Sequence, residues 1–142
     1  EGGSFDGALK GGYIRKKVDN PKLVIASTGT ELTIAFNALK MISFPVQIVS
    51  IPCMKAFNEQ SIEYKRSCFP YGVPVLSVEA GVSFGWLKYS HKHCGIETFG
   101  MSAPSQDIYK HFSLTPEDVA EKAKMLVEYY NDVEVPDLLG RP

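Results

Sequence analysis

Cysteine is scarce in the sequence, and the cysteines that occur form no recognisable pair. Cys53, Cys68 and Cys94 are an odd number, and no Cys-x-x-Cys spacing is present. Disulfide-stabilised secreted domains carry more cysteines and usually an even number of them. We therefore expect three free thiols in a reducing compartment, which excludes a disulfide scaffold as the source of stability.

Long apolar runs and an excess of charge of either sign are also missing. The apolar runs, such as residues 23–26, are short, whereas a membrane-spanning helix needs ~20 apolar residues. The 15 Lys and Arg residues nearly balance the 16 Asp and Glu residues. The basic run Arg15-Lys16-Lys17 is typical of a solvated strand face. The sequence therefore predicts neither a membrane partner nor a nucleic-acid partner.

The beginning of the chain has no feature of a targeting signal. Glu1-Gly2-Gly3-Ser4 lacks an initiator methionine, a basic region and an apolar core, so no signal peptide is visible. The missing methionine indicates a piece of a longer protein. The 142 residues match one domain, which we place at residues 1–133. A loosely ordered tail is expected at residues 134–142, where proline and glycine recur.

Buried-strand patterns alternate with helical patterns along the chain. Three continuous apolar runs, at residues 22–27, 46–51 and 74–79, are typical of strands covered on both faces. Shorter strands are predicted at residues 11–18 and 96–99. Helices are predicted from Thr28, at 58–68, at 84–91, at 107–112 and from Pro116. This alternation predicts an α/β three-layer domain with a mostly parallel sheet.

Two of the predicted helices begin with capping signals. Thr28 and Glu31 have the spacing of a capping box, in which each side chain bonds the backbone of the other residue. Thr115 precedes a proline that suits the first helical position. We therefore expect threonine caps at both helix starts.

The turn that contains Thr28, Gly29 and Thr30 is a candidate anion site. It follows a strand and precedes a helix, where free N–H groups and the helix dipole attract anions. However, neither a G-x-G-x-x-G nor a G-x-x-x-x-G-K-[ST] pattern is present, and Glu31 adds negative charge. An ordinary capped helix start is therefore the favoured interpretation.

The segment His91-Lys92-His93-Cys94 invites a metal interpretation. On a helix only His91 and Cys94 would share a face, and in a strand only the two histidines would. Neither arrangement supplies the three or four ligands that zinc needs. We favour a polar helix end and predict no metal site.

Glu79 is a candidate general base. It ends a predicted buried strand, and the carboxyl ends of parallel strands face ligand crevices. A structural carboxylate that pairs with a neighbour is the favoured alternative. No other residue completes a catalytic set, so the residues alone predict no catalytic site.

Phe84, Trp86, Lys88 and Tyr89 form an aromatic cluster in the sequence. Trp86 and Tyr89 have the spacing of one helical face. The cluster could be a ligand platform or an interface anchor, but a packed helix face is commoner.

Short motifs over about 130 residues carry a family resemblance. The first are Glu1-Gly2-Gly3-Ser4, Lys10-Gly11-Gly12-Tyr13, Ser27-Thr28-Gly29-Thr30-Glu31 and Ser50-Ile51-Pro52-Cys53. They continue with Ser77-Val78-Glu79-Ala80-Gly81, Gly85-Trp86-x-Lys88-Tyr89 and Phe99-Gly100-x-Ser102-Ala103-Pro104. In order and spacing these motifs resemble the C-terminal domain of transketolases.

The resemblance implies a parent enzyme that moves a two-carbon ketol unit between sugar phosphates in the pentose phosphate pathway. In that family, thiamine diphosphate and a divalent metal ion (Mg²⁺ or Ca²⁺) are bound by upstream domains, and the enzyme is a cytoplasmic homodimer. The third domain is an α/β unit with a mixed sheet. No catalytic residue of the family maps onto this chain, so we expect a structural, dimer-supporting domain that binds no cofactor and is inactive alone.

Three alternatives remain open at this point. The same domain also occurs in dihydroxyacetone synthases. A regulatory domain would bind a phosphate or nucleotide at the Thr28–Glu31 helix start. A free-standing enzyme would use Glu79 or His91.

Overall fold

A five-stranded mixed sheet forms the centre of the domain. The computed structural model describes residues 4–140, so Glu1-Gly2-Gly3 of the first motif and the last two residues of the tail lie outside it. The strands are β1 (Tyr13–Lys16), β2 (Leu23–Ser27), β3 (Val46–Ser50), β4 (Val75–Val78) and β5 (Lys92–Cys94). Their order is β1-β3-β2-β4-β5, and β1 alone of these five runs antiparallel to its neighbour. The α/β fold and the mostly parallel sheet are confirmed.

Helices cover both faces of this sheet. They are α1 (Phe5–Leu9), α2 (Glu31–Ala38), α3 (Met54–Asn58), α4 (Ile62–Cys68), α5 (Ser105–His111) and α6 (Pro116–Tyr129). Two 3-10 helices, Leu39–Met41 and Ser83–Lys88, complete the set in the described residues. Helices α2 and α6 pack on one face, and α3, α4 and the 3-10 helix Ser83–Lys88 on the other. The three-layer prediction is therefore correct.

The three central strands are completely buried, which explains why most of their residues are apolar. Every residue of β2, β3 and β4 is buried. Successive side chains point to opposite faces, so Leu23 and Ile25 join the α2–α6 core while Val24 and Ala26 join the other. A strand that lies between two helical layers carries apolar residues on both faces, and buried polar residues such as Ser27 and Gln47 are hydrogen-bonded to backbone carbonyls.

Two predicted elements are wrong near β4 and β5. The strand is Lys92–Cys94, not residues 96–99, and the segment at His91–Cys94 is not a helix end. A polar strand of three residues at the sheet edge has no apolar alternation to mark it. The helix predicted at residues 84–91 is a 3-10 helix that spans Ser83–Lys88.

The helix predicted at residues 58–68 is the shorter α4, and the helix α3 that precedes it was not predicted. Helix α3 ends at Asn58, and α4 begins after Ser61, whose hydroxyl accepts a hydrogen bond from the Tyr64 N–H. Serine favours such a cap because its short side chain reaches the free N–H groups of the first turn. The single-helix prediction missed this start signal.

Only one of the two capping predictions is correct. Thr115 caps α6 in a reciprocal capping box with Asp118, and Pro116 occupies the first turn. The Thr28–Glu31 capping box does not form, because Glu31 is the first residue of α2 and Thr30 takes the cap position without a side-chain hydrogen bond to the helix backbone. The Glu31 side chain is directed to other partners, described below.

Residues 134–140 contain neither helix nor strand but make specific contacts. Asp137 forms an ion pair with Arg66 at 2.6 Å, and the Pro136 carbonyl lies 3.0 Å from His91 Nε2. Leu139 packs against the core on the α3–α4 side. The boundary between a domain at 1–133 and a tail at 134–142 stays a prediction. Within the described part of the chain, no helix has the length and apolar content to cross a bilayer.

Candidate functional site

The candidate residues of β2 and β4 meet at the carboxyl end of the sheet. Ser27 and Val78 end these neighbouring parallel strands and lie opposite each other in the register. The Ser27 hydroxyl donates a hydrogen bond to the Val78 carbonyl at 2.7 Å. The turn that follows β2 and Glu79 after β4 therefore lie side by side, as expected for strand ends in a parallel sheet.

The Thr28-Gly29-Thr30 turn is bordered by a buried carboxylate. Gly29 is exposed and has a φ of +56°. Glu31 is only 5% exposed, and its Oε1 accepts hydrogen bonds from the Tyr109 hydroxyl at 2.7 Å and from Thr30 Oγ1 at 3.2 Å. This carboxylate opposes an anion at the helix start, because like charges repel at short range. The anion site at Thr28, Gly29 and Thr30 stays a prediction.

Glu79 lies close to this turn and to Glu31, and its side chain is partly buried. We call Glu31, Glu79 and Tyr109 the carboxyl-end cluster. The Glu79 Oε2 atom is buried and has no hydrogen-bond partner in the described part of the chain. Burial, followed by repulsion from Glu31, raises the pKa of Glu79 to about 6. A carboxyl group with such a pKa can hold or release a proton close to neutral pH. Its role as a general base stays a prediction.

Tyr109 is the residue of the carboxyl-end cluster that the sequence did not predict. It comes from α5, 78 residues along the chain from the carboxylate it contacts. The Glu31 carboxylate raises the pKa of the Tyr109 hydroxyl by accepting its hydrogen bond. No local signal in the sequence connects the two residues, because their contact depends on how α5 packs.

His91, His93 and Cys94 do not converge on one point. His91 Nδ1 accepts a hydrogen bond from the Val75 N–H, while His93 contacts Ser77 Oγ through Nδ1 and the Gly81 carbonyl through Nε2. The Lys122 ammonium donates to Cys94 Sγ at 3.1 Å, and burial raises the pKa of that thiol. Among residues 4–140, no three metal-ligating side chains of the His, Cys, Asp and Glu types gather around a common centre.

Trp86 and Tyr89 are part of the core rather than a ligand platform. Both side chains are buried. The Tyr89 hydroxyl donates to the side-chain carbonyl of Asn58, and its ring packs edge-on against Phe57 at 5.3 Å. The interpretation as a packed helix face is confirmed. Phe84 differs, because its side chain is 91% exposed.

We expect Glu79→Gln to stabilise the chain more at pH 7.5 than at pH 5, because the cost of ionising the folded-state carboxyl develops between its ordinary pKa of 4.5 and the raised value of about 6. Because the folded-state pKa is raised, the carboxyl group binds its proton more tightly in the folded state, and stability falls as the pH rises through about 6. The side chain is partly exposed, so water screens the effect, and we expect a gain of about 1 kcal/mol for the variant at pH 7.5. Urea unfolding at both pH values measures it.

Glu121→Gln is the matched control for this experiment. Glu121 is exposed on α6, so its neutralisation should change stability by less than about 0.5 kcal/mol at either pH. A gain from Glu79→Gln that is equal at pH 5 and pH 7.5 would contradict the prediction, since the effect then has no connection with ionisation.

Comparison with known proteins places this domain in a family. A family model described as "Transketolase-like TK C-terminal domain" matches residues 11–115. Transketolase 1 of Candida albicans is 42% identical over 144 residues, which cover 99% of this chain and 21% of the relative. Transketolase of Kluyveromyces lactis is 43% identical over 138 residues, which cover 95% of this chain and 20% of the relative.

Solved structures give the same result. Transketolase from Leishmania mexicana matches with a TM-score of 0.90 and 41% identity, covering 95% of this chain and 20% of that one. A Pichia stipitis transketolase in complex with sedoheptulose-7-phosphate matches with a TM-score of 0.94 and 42% identity. The match covers 99% of this chain and 21% of that one. The chain spans about a fifth of the length of these relatives. It belongs to the transketolase family and corresponds to the C-terminal domain of that family.

Proposed function

We propose that the chain is the structural, dimer-supporting domain of an enzyme that transfers a two-carbon ketol unit between sugar phosphates. One observation carries this proposal. Relatives named transketolase match nearly the whole chain, yet the match accounts for only about a fifth of their length. The sugar phosphate in the Pichia stipitis structure supports the substrate class. All of the relatives reported above are named transketolases, which favours this activity over that of a dihydroxyacetone synthase.

The cofactor would be held outside this chain. Thiamine diphosphate with Mg²⁺ or Ca²⁺ needs a cluster of oxygen ligands for the metal ion. The described residues bring no such cluster of carboxylates together, so they do not fit the group. We therefore assign no catalytic step to Glu79, His91 or any other side chain described here.

The partners follow from the same proposal. The domain would contact the upstream domains of its own chain within a cytoplasmic homodimer. A regulatory anion site receives no support from the geometry, since the Glu31 carboxylate lies beside the Gly29 turn and would repel an anion bound there.

The mass of the native protein is the first measurement that tests this proposal. An antibody raised against the domain should detect, in the source cells, a protein about five times heavier than the 15.7 kDa of this chain. A native protein of 15.7 kDa would contradict the proposal and favour a free-standing domain.

A chimera tests the role itself. The last fifth of Candida albicans transketolase 1 is replaced by this chain, to which that relative is 42% identical. We expect a dimer whose turnover is within about tenfold of the parent relative, equivalent to ~1.4 kcal/mol of transition-state free energy. The relative truncated before this domain is the control and should lose dimer stability. A folded chimera that is monomeric and inactive would contradict the proposal.

A further inference from the structure

We infer that an exposed apolar surface at the carboxyl end of the sheet is the face on which the domain docks against the upstream part of its own full-length chain. The carboxyl-end surface consists of Val82, Phe84, Leu87, Phe99 and Met101. This inference rests on the proposed function, because it requires an upstream part. The inference goes beyond the proposed function because it names the face of the domain that is covered and the part of the chain that covers it.

The exposure of this surface is the first argument. Phe84 is 91% exposed and Phe99 is 99% exposed, and Val82, Leu87 and Met101 are each exposed by about half. Scattered surface residues of this kind need no explanation, but a group that includes two nearly bare phenylalanines is typical of an interaction site. Aromatic side chains and methionine are enriched in protein interfaces.

The loops that carry these residues are tied to each other and to the core. The Ser83 N–H donates to Glu97 Oε1 at 2.8 Å, and the Ile96 N–H donates to the Gly81 carbonyl at 2.9 Å. Between the exposed residues, Trp86 is buried and anchors the 3-10 helix. A rigid support of this kind presents side chains to a partner with little loss of conformational entropy on binding.

The position of β1 shows from which end the chain enters the domain. Because β1 runs antiparallel to β3, its first residue Tyr13 pairs with Ser50, the last residue of β3. The Cys53 N–H donates to the Gly11 carbonyl at 3.1 Å, which fixes the preceding residues beside the start of α3. The chain therefore reaches the sheet at its carboxyl end, the end that also carries the apolar surface.

Helix α1 adds two apolar residues at the same end. Phe5 is 78% exposed and Leu9 is 67% exposed. Both residues lie a few positions before Gly11, where the chain enters the domain. Relatives that contain this domain are about five times longer. A segment that enters at this end is held at a high effective concentration beside the surface, so its own chain is favoured over a separate partner.

Photo-crosslinking in the Candida albicans chimera tests the inference. A benzophenone amino acid is placed at position 84, and a second sample carries it at position 125, since Met125 is an exposed apolar residue on α6. We expect position 84 to give an adduct within one chain, joined to a peptide upstream of residue 1. Position 125 should give no such adduct.

Two outcomes would overturn the inference. An adduct of twice the chain mass would show that a second copy covers the surface, and absence of any protein adduct at position 84 would show that the surface is solvated. An unmodified chimera that is inactive and monomeric would instead count against the proposed function, so the two failures are distinguishable.

Paired substitutions give a second measurement in the same chimera. Phe84→Ser with Phe99→Ser should accelerate amide hydrogen exchange at residues 82–88 and 97–101 by about tenfold or more, because the covering contact is lost. Met125→Ser with Tyr129→Ser removes two apolar residues that are also exposed. This control should leave exchange in those segments unchanged, and an equal effect of the two pairs would contradict the docking surface.

Discussion

Gly11→Ala should destabilise the domain by about 3–5 kcal/mol, a large part of the 5–15 kcal/mol that holds a typical domain folded. Two costs combine at this position. Gly11 has a φ of +81°, a left-handed conformation that costs an L-residue about 1–2 kcal/mol. The added methyl group would also overlap the Cys53 carbonyl oxygen and the Phe57 nitrogen. These are backbone atoms, which cannot rotate away, so α3 has to move.

The chain offers a matched control that separates the two costs. Gly72 has a φ of +72°, but nothing lies within 4 Å of a methyl group placed there. Gly72→Ala should therefore lose only the conformational cost of about 1–2 kcal/mol. Urea unfolding of the two variants measures the difference. Equal losses would show that close packing of residue 11 on α3 contributes nothing.

The central strands could be predicted from the sequence because burial on both faces leaves an unmistakable pattern. Residues 23–26, for example, are all apolar, since each face of the strand meets a helical layer. The start of α6 was equally clear, because Thr115 and Pro116 act locally on the first turn. Signals that work within a few residues are readable from one sequence.

The sequence did not predict the elements that depend on long-range contacts, because such contacts leave no local signal. Strand β5 forms because Lys92, His93 and Cys94 pair with β4, and Ser77 contacts the His93 ring. Neither contact leaves a periodic pattern in the sequence. The Thr28–Glu31 capping box does not form, because α2 begins only at Glu31 and the Glu31 side chain bonds Tyr109. In both cases tertiary packing overrides local preference.

The candidate site also combines features that the sequence predicts with features that depend on tertiary contacts. Glu79 and the Gly29 turn could be placed at one end of the sheet, because each follows a strand and the strands of a mostly parallel sheet end on the same side. The raised pKa of Glu79 could not be predicted, since it depends on burial and on the distance to Glu31. The exposure of Phe84 could not be predicted either, because the packed helix face favoured for its aromatic cluster holds for Trp86 and Tyr89 but not for Phe84.

Phe57→Ala should be about as damaging as the change at Gly11, although it removes atoms instead of adding them. Phe57 is completely buried, and its ring contacts the rings of Tyr64, Phe69 and Tyr89 edge-on. Replacing a buried phenylalanine by alanine costs about 3–5 kcal/mol, because transfer energy is lost and the cavity closes only partly. Three rigid neighbouring rings restrict that closure, which favours the upper half of this range.

Phe99→Ala provides the comparison for the same chemical change at an exposed position. Phe99 is 99% exposed, so its truncation in the isolated domain should change stability by less than about 0.5 kcal/mol. Urea unfolding gives the free energies of unfolding, and near-ultraviolet circular dichroism reports whether the remaining rings keep their packing.

A loss below about 1.5 kcal/mol for Phe57→Ala would mean that the aromatic rings around Phe57 can collapse into the cavity. Tyr89 would then have to move towards α3 and draw the 3-10 helix Ser83–Lys88 with it. That movement would displace Phe84, so the same substitution in the Candida albicans chimera should weaken the crosslink from position 84 if the domain docks through this surface.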